Sequence, residues 1–307
     1  MKRVTIEGKG LYLKNISSAS TLSKLDIEES NEFFFSPELT IKKRGLKYKD
    51  IATRFAICAA NKALLEAGII SEFNEKIETS DIAVIVCSSL GNIDTVSKVI
   101  DIIKNKSVDD ISPLDLPNLS SNNIAASIAI WFGLTGINLT VCNGSTSSID
   151  SIQIGYNLLQ QEKTKKVLII GVEVLNEYTN KIISIDGKHI QIGAVGLLLG
   201  YDCDINMSTS IDICNSLNSV LYDSEDIFDF IKNNKLDTFL VPHNIVAKCN
   251  KDSKIISLDE YYGYLDGIYG ILCCIYVASL HKNIKSYIVA GNDNEKYKCI
   301  IVKKNWN

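Results

Sequence analysis

The chain has 307 residues, of which 46% are hydrophobic and 22% are charged, and its formal net charge is −4. This composition is typical of a globular protein with a large core, either one large domain or two fused halves. The basic residues are scattered and no apolar run reaches the length of a membrane span, so neither nucleic acid nor a membrane is expected as a partner. The start of the chain, Met1 to Ile6, is typical of a strand rather than of a signal peptide.

Buried strands and amphipathic helices are predicted to alternate along the whole chain. Helices are predicted over residues 49–67, 93–104, 122–132, 147–161, 225–233 and 266–280. Continuous apolar runs predict strands over residues 81–87, 166–171, 195–201, 237–241, 286–290 and 299–302. This alternation predicts an α/β fold with mixed sheets covered by helices on both faces. The C-terminal half repeats the pattern of the N-terminal half, and the polar joins at 202–208 and 248–254 are interpreted as short linkers.

The nine cysteines are an odd number, and they show neither CxxC motifs nor Cys/His metal-ligand spacing. Most of them lie in apolar segments: Cys58, Cys87, Cys214, Cys273, Cys274 and Cys299. This pattern predicts reduced core thiols in a cytoplasmic protein. No metal and no cofactor are expected.

The segment from Asn138 to Asp150 carries the strongest local signal for chemistry. A β-branched strand runs into the small-residue turn Cys142-Asn-Gly-Ser145, and an amphipathic helix follows at once. This order places Ser145 near the N-terminus of a helix, where free amides and the helix dipole favour developing negative charge. Enzymes place nucleophiles at such positions. A serine before a helix is also an ordinary capping or turn residue, so the local pattern leaves both interpretations open.

Several motifs in a fixed order resemble the β-ketoacyl synthases, which are condensing enzymes of the thiolase superfamily. The residues that carry the resemblance are Val84-Ile-Val-Cys-Ser-Ser-Leu-Gly91, Leu116-Pro-Asn-Leu119, Trp131-Phe-Gly-Leu-Thr-Gly136, Thr140-Val-Cys-Asn-Gly-Ser145 and Val167-Leu-Ile-Ile-Gly-Val-Glu173. The resemblance covers nearly the whole chain. It implies a single thiolase-like domain over residues 1–307, with two duplicated halves, about 1–204 and about 205–307, in an αβαβα layered arrangement.

The same resemblance implies that the catalytic positions have changed. Ser145 stands where the family carries its acyl-accepting cysteine, and His243 matches the first catalytic histidine. Asp259 stands at the lysine position and Tyr264 at the position of the second histidine. The late glycine-rich loop is reduced to Ala290-Gly-Asn-Asp-Asn294, and the chain is shorter than a typical ketosynthase.

These replacements weaken the chemistry of condensation. A helix N-terminus can lower the pKa of a thiol enough to form a thiolate, whereas a hydroxyl needs a general base close by. Losing one donor to an oxyanion typically costs roughly 3–4 kcal/mol. Efficient condensation by this chain alone is therefore not expected. Tyr264 could donate one hydrogen bond, and together with Tyr261 and Tyr262 it could equally form an aromatic cluster that fills a vacated pocket.

Two functions and a third role follow from the resemblance. The first is a non-condensing partner that resembles the chain-length-factor subunits of type II polyketide and fatty acid systems. The second is an acyltransferase or thioester hydrolase that uses Ser145 with His243, oriented by Asn244 or Asp266. The third is a scaffolding pseudo-enzyme.

The resemblance also implies partners. The strand before Ser145, residues 137–142, pairs in this family with its counterpart across a two-fold axis, and an unpaired edge would be an aggregation hazard. We therefore expect a heterodimer with an active ketosynthase or a homodimer, together with an acyl carrier protein.

Overall fold

The structure is a computed structural model that describes residues 3–16, 18–26, 36–41, 45–71, 81–174, 177–182, 191–201, 209–212, 223–233, 238–246, 254–294 and 296–305. The strands are β1 (Val4–Leu13), β2 (Ile82–Cys87), β3 (Asn138–Val141), β4 (Lys166–Glu173), β5 (Gly193–Tyr201), β6 (Thr209–Asp212), β7 (Thr238–Leu240), β8 (Ile255–Ile256), β9 (Ile284–Asn292) and β10 (Lys296–Lys304). The helices are α1 (Ala19–Lys24), α2 (Pro37–Thr40), α3 (Ile51–Glu66), α4 (Ile93–Asn105), α5 (Asn123–Phe132), α6 (Ser147–Gln160), α7 (Glu177–Ile182), α8 (Ser224–Asn233), α9 (His243–Val246), α10 (Leu258–Tyr262) and α11 (Tyr269–Ser279). Each predicted strand and long helix is confirmed, with ends that shift by a few residues. The predicted linkers at 202–208 and 248–253, and Cys214, lie outside the described residues.

The strands form one mixed sheet whose order is β3-β2-β4-β5-β1-β6-β10-β9-β7-β8. Strand β6 joins its two parts, because it pairs antiparallel with β1 on one side and with β10 on the other. The first part consists of β1 to β5 and the second of β6 to β10. If the strands of each part are numbered one to five in chain order, both parts run 3-2-4-5-1 from their outer edge to the β1–β6 pair. The predicted duplication of a strand and helix pattern is therefore confirmed in the sheet topology.

Alternating side chains of the strands face different helix layers, as the period of two in a strand requires. On β4, Leu168 and Ile170 pack into the cluster with α3 and α5, whereas Val167 and Ile169 pack into the cluster with α6 and α11. On the other part of the sheet, β9 and β10 also contact the α6 and α11 cluster with one face and α8 with the other. Helices α6 and α11 thus form the middle layer of an αβαβα arrangement.

Two glycines of β1 let α3 approach the sheet closely. A Cβ atom on Gly10 would lie 2.0 Å from the carbonyl oxygen of Ala59, and one on Gly8 would lie 2.2 Å from that of Ala63. Any larger side chain would push the helix away, since backbone atoms cannot give way as a flexible side chain does. The small residues on both sides fix the position of α3 in the core.

Five of the predicted core thiols are confirmed as buried and free: Cys58, Cys87, Cys273, Cys274 and Cys299. Burial raises the pKa of the Cys87 and Cys274 thiols above the usual range, which keeps them protonated. They contribute to packing. Among the described residues, no helix is both long enough and apolar enough to cross a bilayer.

Candidate functional site

Ser145 lies in the turn that joins strand β3 to helix α6. Gly144 begins this turn with φ = 60°, a left-handed conformation that glycine adopts without strain. A single 3-10 turn, Gly144–Thr146, leads directly into α6 at Ser147. The Ser145 side chain is only 5% exposed. The predicted strand, turn and helix are confirmed, and the hydroxyl lies inside the protein.

The buried carboxylate of Asp150 stabilises this turn through hydrogen bonds. Asp150 Oδ2 accepts hydrogen bonds from Asn143 Nδ2 at 2.7 Å and from Thr146 Oγ1 at 2.9 Å. Its other oxygen forms an ion pair with Lys298 of β10. The turn is therefore fixed on both sides of Ser145 and tied to the C-terminal part of the sheet.

Asn292, the last residue of β9, contacts Ser145 directly. Its Nδ2 donates a hydrogen bond to Ser145 Oγ at 3.1 Å. Its Oδ1 accepts the backbone N–H of Asn294 at 2.9 Å, which fixes which end of the amide faces the serine. The sequence pointed to the loop 290–294 as a family feature, but it gave no sign that Asn292 reaches Ser145.

His243 begins α9 and points towards the surface. Its Nδ1 lies 3.3 Å from Glu260 Oε1, and its side chain is 42% exposed. Its backbone N–H donates to Asp259 Oδ2 at 3.2 Å. In the described part of the chain, the polar contacts of His243 go to these two residues, and none joins it to Ser145.

Asp259, which the sequence resemblance aligns with the family lysine, has a structural role. Besides the His243 amide, its carboxylate accepts the backbone N–H of Leu265 at 3.1 Å. The side chain thus holds the end of the His243 segment against the loop that follows α10. Because carboxylates bind backbone amides strongly, this contact stabilises both segments.

Tyr264, which the sequence resemblance aligns with the second family histidine, is half-buried. Its hydroxyl donates to Asp266 Oδ1 at 3.2 Å, and its carbonyl accepts the backbone N–H of Gln191 at 2.9 Å. The Gln191 side chain is fully buried, and within the described structure neither of its amide atoms has a hydrogen-bond partner. Of the neighbouring tyrosines, Tyr262 is buried and Tyr261 is exposed. The rings of Tyr261 and Tyr262 contact each other, with 6.3 Å between their centroids.

Glu173 ends β4 as a buried acid beside the turn that precedes α11. Its Oε1 accepts the backbone N–H of Ser89 at 2.6 Å, and its Oε2 accepts the Ser88 hydroxyl at 3.3 Å. Burial raises the pKa of Glu173 well above its usual range, and the negative charge of Asp266 raises it further. A Cβ atom on Gly267 would lie 2.6 Å from Glu173 Oε1, so only glycine fits there.

Cys142, the cysteine nearest to Ser145 in the sequence, is poorly suited to act as a thiolate nucleophile. Cys142 follows β3 and is exposed, but partial burial of its sulfur and the charge of Glu173 raise its pKa. A raised pKa leaves little thiolate at neutral pH. Among the described residues, no group of three or more His, Cys, Asp or Glu side chains is arranged to hold a metal ion.

Comparison with known sequences identifies a family for this arrangement. The family model described as Beta-ketoacyl synthase, N-terminal domain, matches residues 14–183, which is more than half of the chain. A curated relative from Arabidopsis thaliana, the chloroplastic 3-oxoacyl-[acyl-carrier-protein] synthase I, is 24% identical over 56% of this chain and 41% of its own length. The 3-oxoacyl-[acyl-carrier-protein] synthase 2 of Coxiella burnetii is 21% identical over 46% of this chain and 33% of its own length. The chain thus spans less than half of the length of both relatives.

Solved structures with a similar fold cover the whole chain. The ishigamide ketosynthase/chain length factor matches 99% of this chain and 100% of its own, with 12% identity and a TM-score of 0.75. A type II polyketide acyl-carrier protein in complex with its ketosynthase bound to the hexaketide includes a chain that matches equally well, at 12% identity, a TM-score of 0.75 and 99% coverage of both chains. At this identity the likeness shows the fold, which is the thiolase-like ketosynthase fold.

Proposed function

Since this chain belongs to the β-ketoacyl synthase family, we propose that it is a non-condensing subunit that pairs with an active ketosynthase, as a chain length factor does. The observation that carries the proposal is the environment of Ser145. A hydroxyl stands at the position of the acyl-accepting cysteine, and its hydrogen bond to Asn292 comes from an amide donor, not from a base. The amide donor cannot take the hydroxyl proton as a general base would, so this contact does not activate the serine.

The other family positions support the same function. The His243 imidazole faces Glu260, and Asp259 holds backbone amides where a lysine would carry a positive charge. Tyr264 donates its hydroxyl to Asp266. The acyltransferase or hydrolase requires a Ser145–His243 pair, and the contacts of His243 do not favour that pair. The altered positions Ser145, Asp259 and Tyr264 in an intact core favour a subunit that contributes its fold and does not catalyse condensation.

The edge of the sheet supports a dimeric partner. Strand β3 is the outermost strand of the sheet and pairs with β2 alone among the described strands. Leu139 on this strand and Ile137 just before it are each 37% exposed. An open edge with exposed apolar side chains is suited to pairing with a second chain. The two structural neighbours named above are a ketosynthase/chain length factor and a ketosynthase complex with an acyl-carrier protein, so we propose a ketosynthase and an acyl carrier protein as partners here.

We further propose that residues 1–307 act as one domain and that the protein works in the cytoplasm. Strand β6, which bonds to strands of both halves, supports a single unit. The buried free thiols are compatible with a reducing compartment.

Co-expression with a ketosynthase encoded beside this chain tests the proposal. We expect a 1:1 complex by native mass spectrometry, and malonyl elongation by the complex but not by this chain alone. After incubation with acyl-carrier-protein thioesters, neither the wild-type protein nor Ser145→Ala should gain mass by mass spectrometry. Elongation by the isolated chain, a mass gain at Ser145, or a stable homodimer that ignores the ketosynthase would each contradict the proposal.

A further inference from the structure

The amide of Asn292 has a fixed direction relative to Ser145. Its Nδ2 lies 3.1 Å from Ser145 Oγ, and its Oδ1 is already engaged by the Asn294 amide. Rotating the amide by 180° would break the contact with Asn294 by placing two donors face to face. The hydrogen bond therefore runs from Asn292 to Ser145.

The loop that carries Asn292 is anchored on its other side. Asp293 Oδ1 accepts the Tyr297 hydroxyl at 2.9 Å, and the Tyr297 side chain is fully buried. The same hydroxyl contacts Nδ2 of Asn244, the residue after His243. The loop between β9 and β10 is thus held against the His243 segment, which anchors the backbone next to Asn292.

We propose that Asn292 occupies the place of a general base towards Ser145 and, because it is an amide, cannot accept the proton of the serine hydroxyl. A base must lie within about 2.6–3.2 Å of the hydroxyl and must accept its proton. Asn292 meets the distance, but Nδ2 carries two hydrogens and has no lone pair to offer. This inference rests on the proposed non-condensing function, since both require that Ser145 stays unacylated.

Asn292→His tests the inference with a serine-directed fluorophosphonate. In the labelling step Ser145 Oγ forms a bond to phosphorus, fluoride leaves, and the hydroxyl proton passes to the group at position 292. We expect the His variant to label at Ser145 about 100-fold faster than wild type, since a positioned base typically contributes 10²–10⁴ in rate. The rate should rise with pH around the ordinary histidine pKa of about 6.5.

Matched variants show whether faster labelling comes from a base at position 292 or only from a change in side-chain shape. Asn292→Ala and Asn292→Gln should label as slowly as wild type, and Asn292→His combined with Ser145→Ala should not label. Asn292→Asp keeps the shape and exchanges the donor for an acceptor, so it should also label faster than wild type. It serves as the test if the imidazole variant does not fold.

The outcomes distinguish this inference from the proposed function. If the His and Asp variants fold and label no faster than Asn292→Ala, or if Asn292→Ala labels as fast as they do, the role of Asn292 is overturned while the non-condensing function stands. If wild type itself labels rapidly at Ser145, both are overturned.

Discussion

Lys298 of β10 forms an ion pair with Asp150 of α6 beneath the turn that carries Ser145. The side chains are only 18% and 11% exposed, and Asp150 is also bonded by Asn143 and Thr146. The pair joins residues 148 positions apart in the chain. It links the serine turn to the C-terminal part of the sheet, as the Asn292–Ser145 hydrogen bond does.

Removing one member of this pair should destabilise the protein. Lys298→Met leaves a largely buried carboxylate without its cation, and we expect a loss of about 2–4 kcal/mol in the free energy of unfolding. Urea denaturation followed by circular dichroism measures it. Lys296→Met is the control, because Lys296 is exposed and its contact with Asp223 is at the surface, worth about 0–1 kcal/mol. Equal losses in both variants would contradict the prediction.

Asp259 should contribute to stability through the two backbone amides that it accepts. Asp259→Ala leaves the amides of His243 and Leu265 without this partner, and we expect a loss of about 2–3 kcal/mol. Glu260→Ala, next to it, removes only the exposed contact with His243 and should cost about 0–1 kcal/mol. Thermal unfolding of the two variants in parallel gives the comparison, and an Asp259 variant as stable as wild type would refute the structural role.

Glu173 should make the folded protein less stable as the pH rises. Its folded-state pKa is raised by burial and by Asp266, so between the unfolded value of about 4.3 and the raised value the folded state binds more protons than the unfolded state. Stability therefore falls with increasing pH in that window, with a limiting slope of about 1.4 kcal/mol per pH unit. Glu173→Gln, which resembles the protonated acid, should flatten this slope in denaturation series from pH 5 upwards.

The exposed acid Glu225 of α8 provides the control for this series. Glu225→Gln should leave the slope as it is in wild type, because this side chain lies in solvent. A Glu173→Gln protein with the wild-type slope would show that another group is responsible.

The sequence predicted those features that depend on local patterns. The apolar run at residues 166–171 predicted a buried strand, and β4 confirms it. The Asn-Gly-Ser turn between a β-branched strand and an amphipathic helix likewise predicted the position of Ser145. In both cases the information lies within about ten neighbouring residues.

Contacts between distant residues were not predictable in the same way. Asn292 and Ser145 are 147 positions apart, and nothing near Asn292 indicates which residue its amide will reach. The direction of the His243 side chain towards Glu260 also depends on how α9 packs against α10. Such contacts depend on the tertiary packing of the two parts of the sheet, which local propensity does not determine.

Strand β3 should control assembly. Leu139→Lys places a charge on the open edge of the sheet, and we expect the proposed dimer with a ketosynthase to dissociate into its subunits without a loss of thermal stability of this chain. Size-exclusion chromatography with light scattering measures the mass. Leu39→Lys, at an exposed leucine on α2, is the matched control and should leave the dimer intact. A Leu139→Lys dimer of unchanged mass would place the interface elsewhere.

The identical strand order on the two sides of the β1–β6 pair is the arrangement expected if a half-length ancestor was doubled and fused. In such a molecule the strand-to-helix turns of the two copies meet face to face, and here the Ser145 turn packs against the one that begins at Asp266. The site around Ser145 then lies between the two copies, and changes on either side can alter its chemistry. The apolar cores of the two copies need not change with it, so a copy pair that has lost activity can keep the stability of its active relatives.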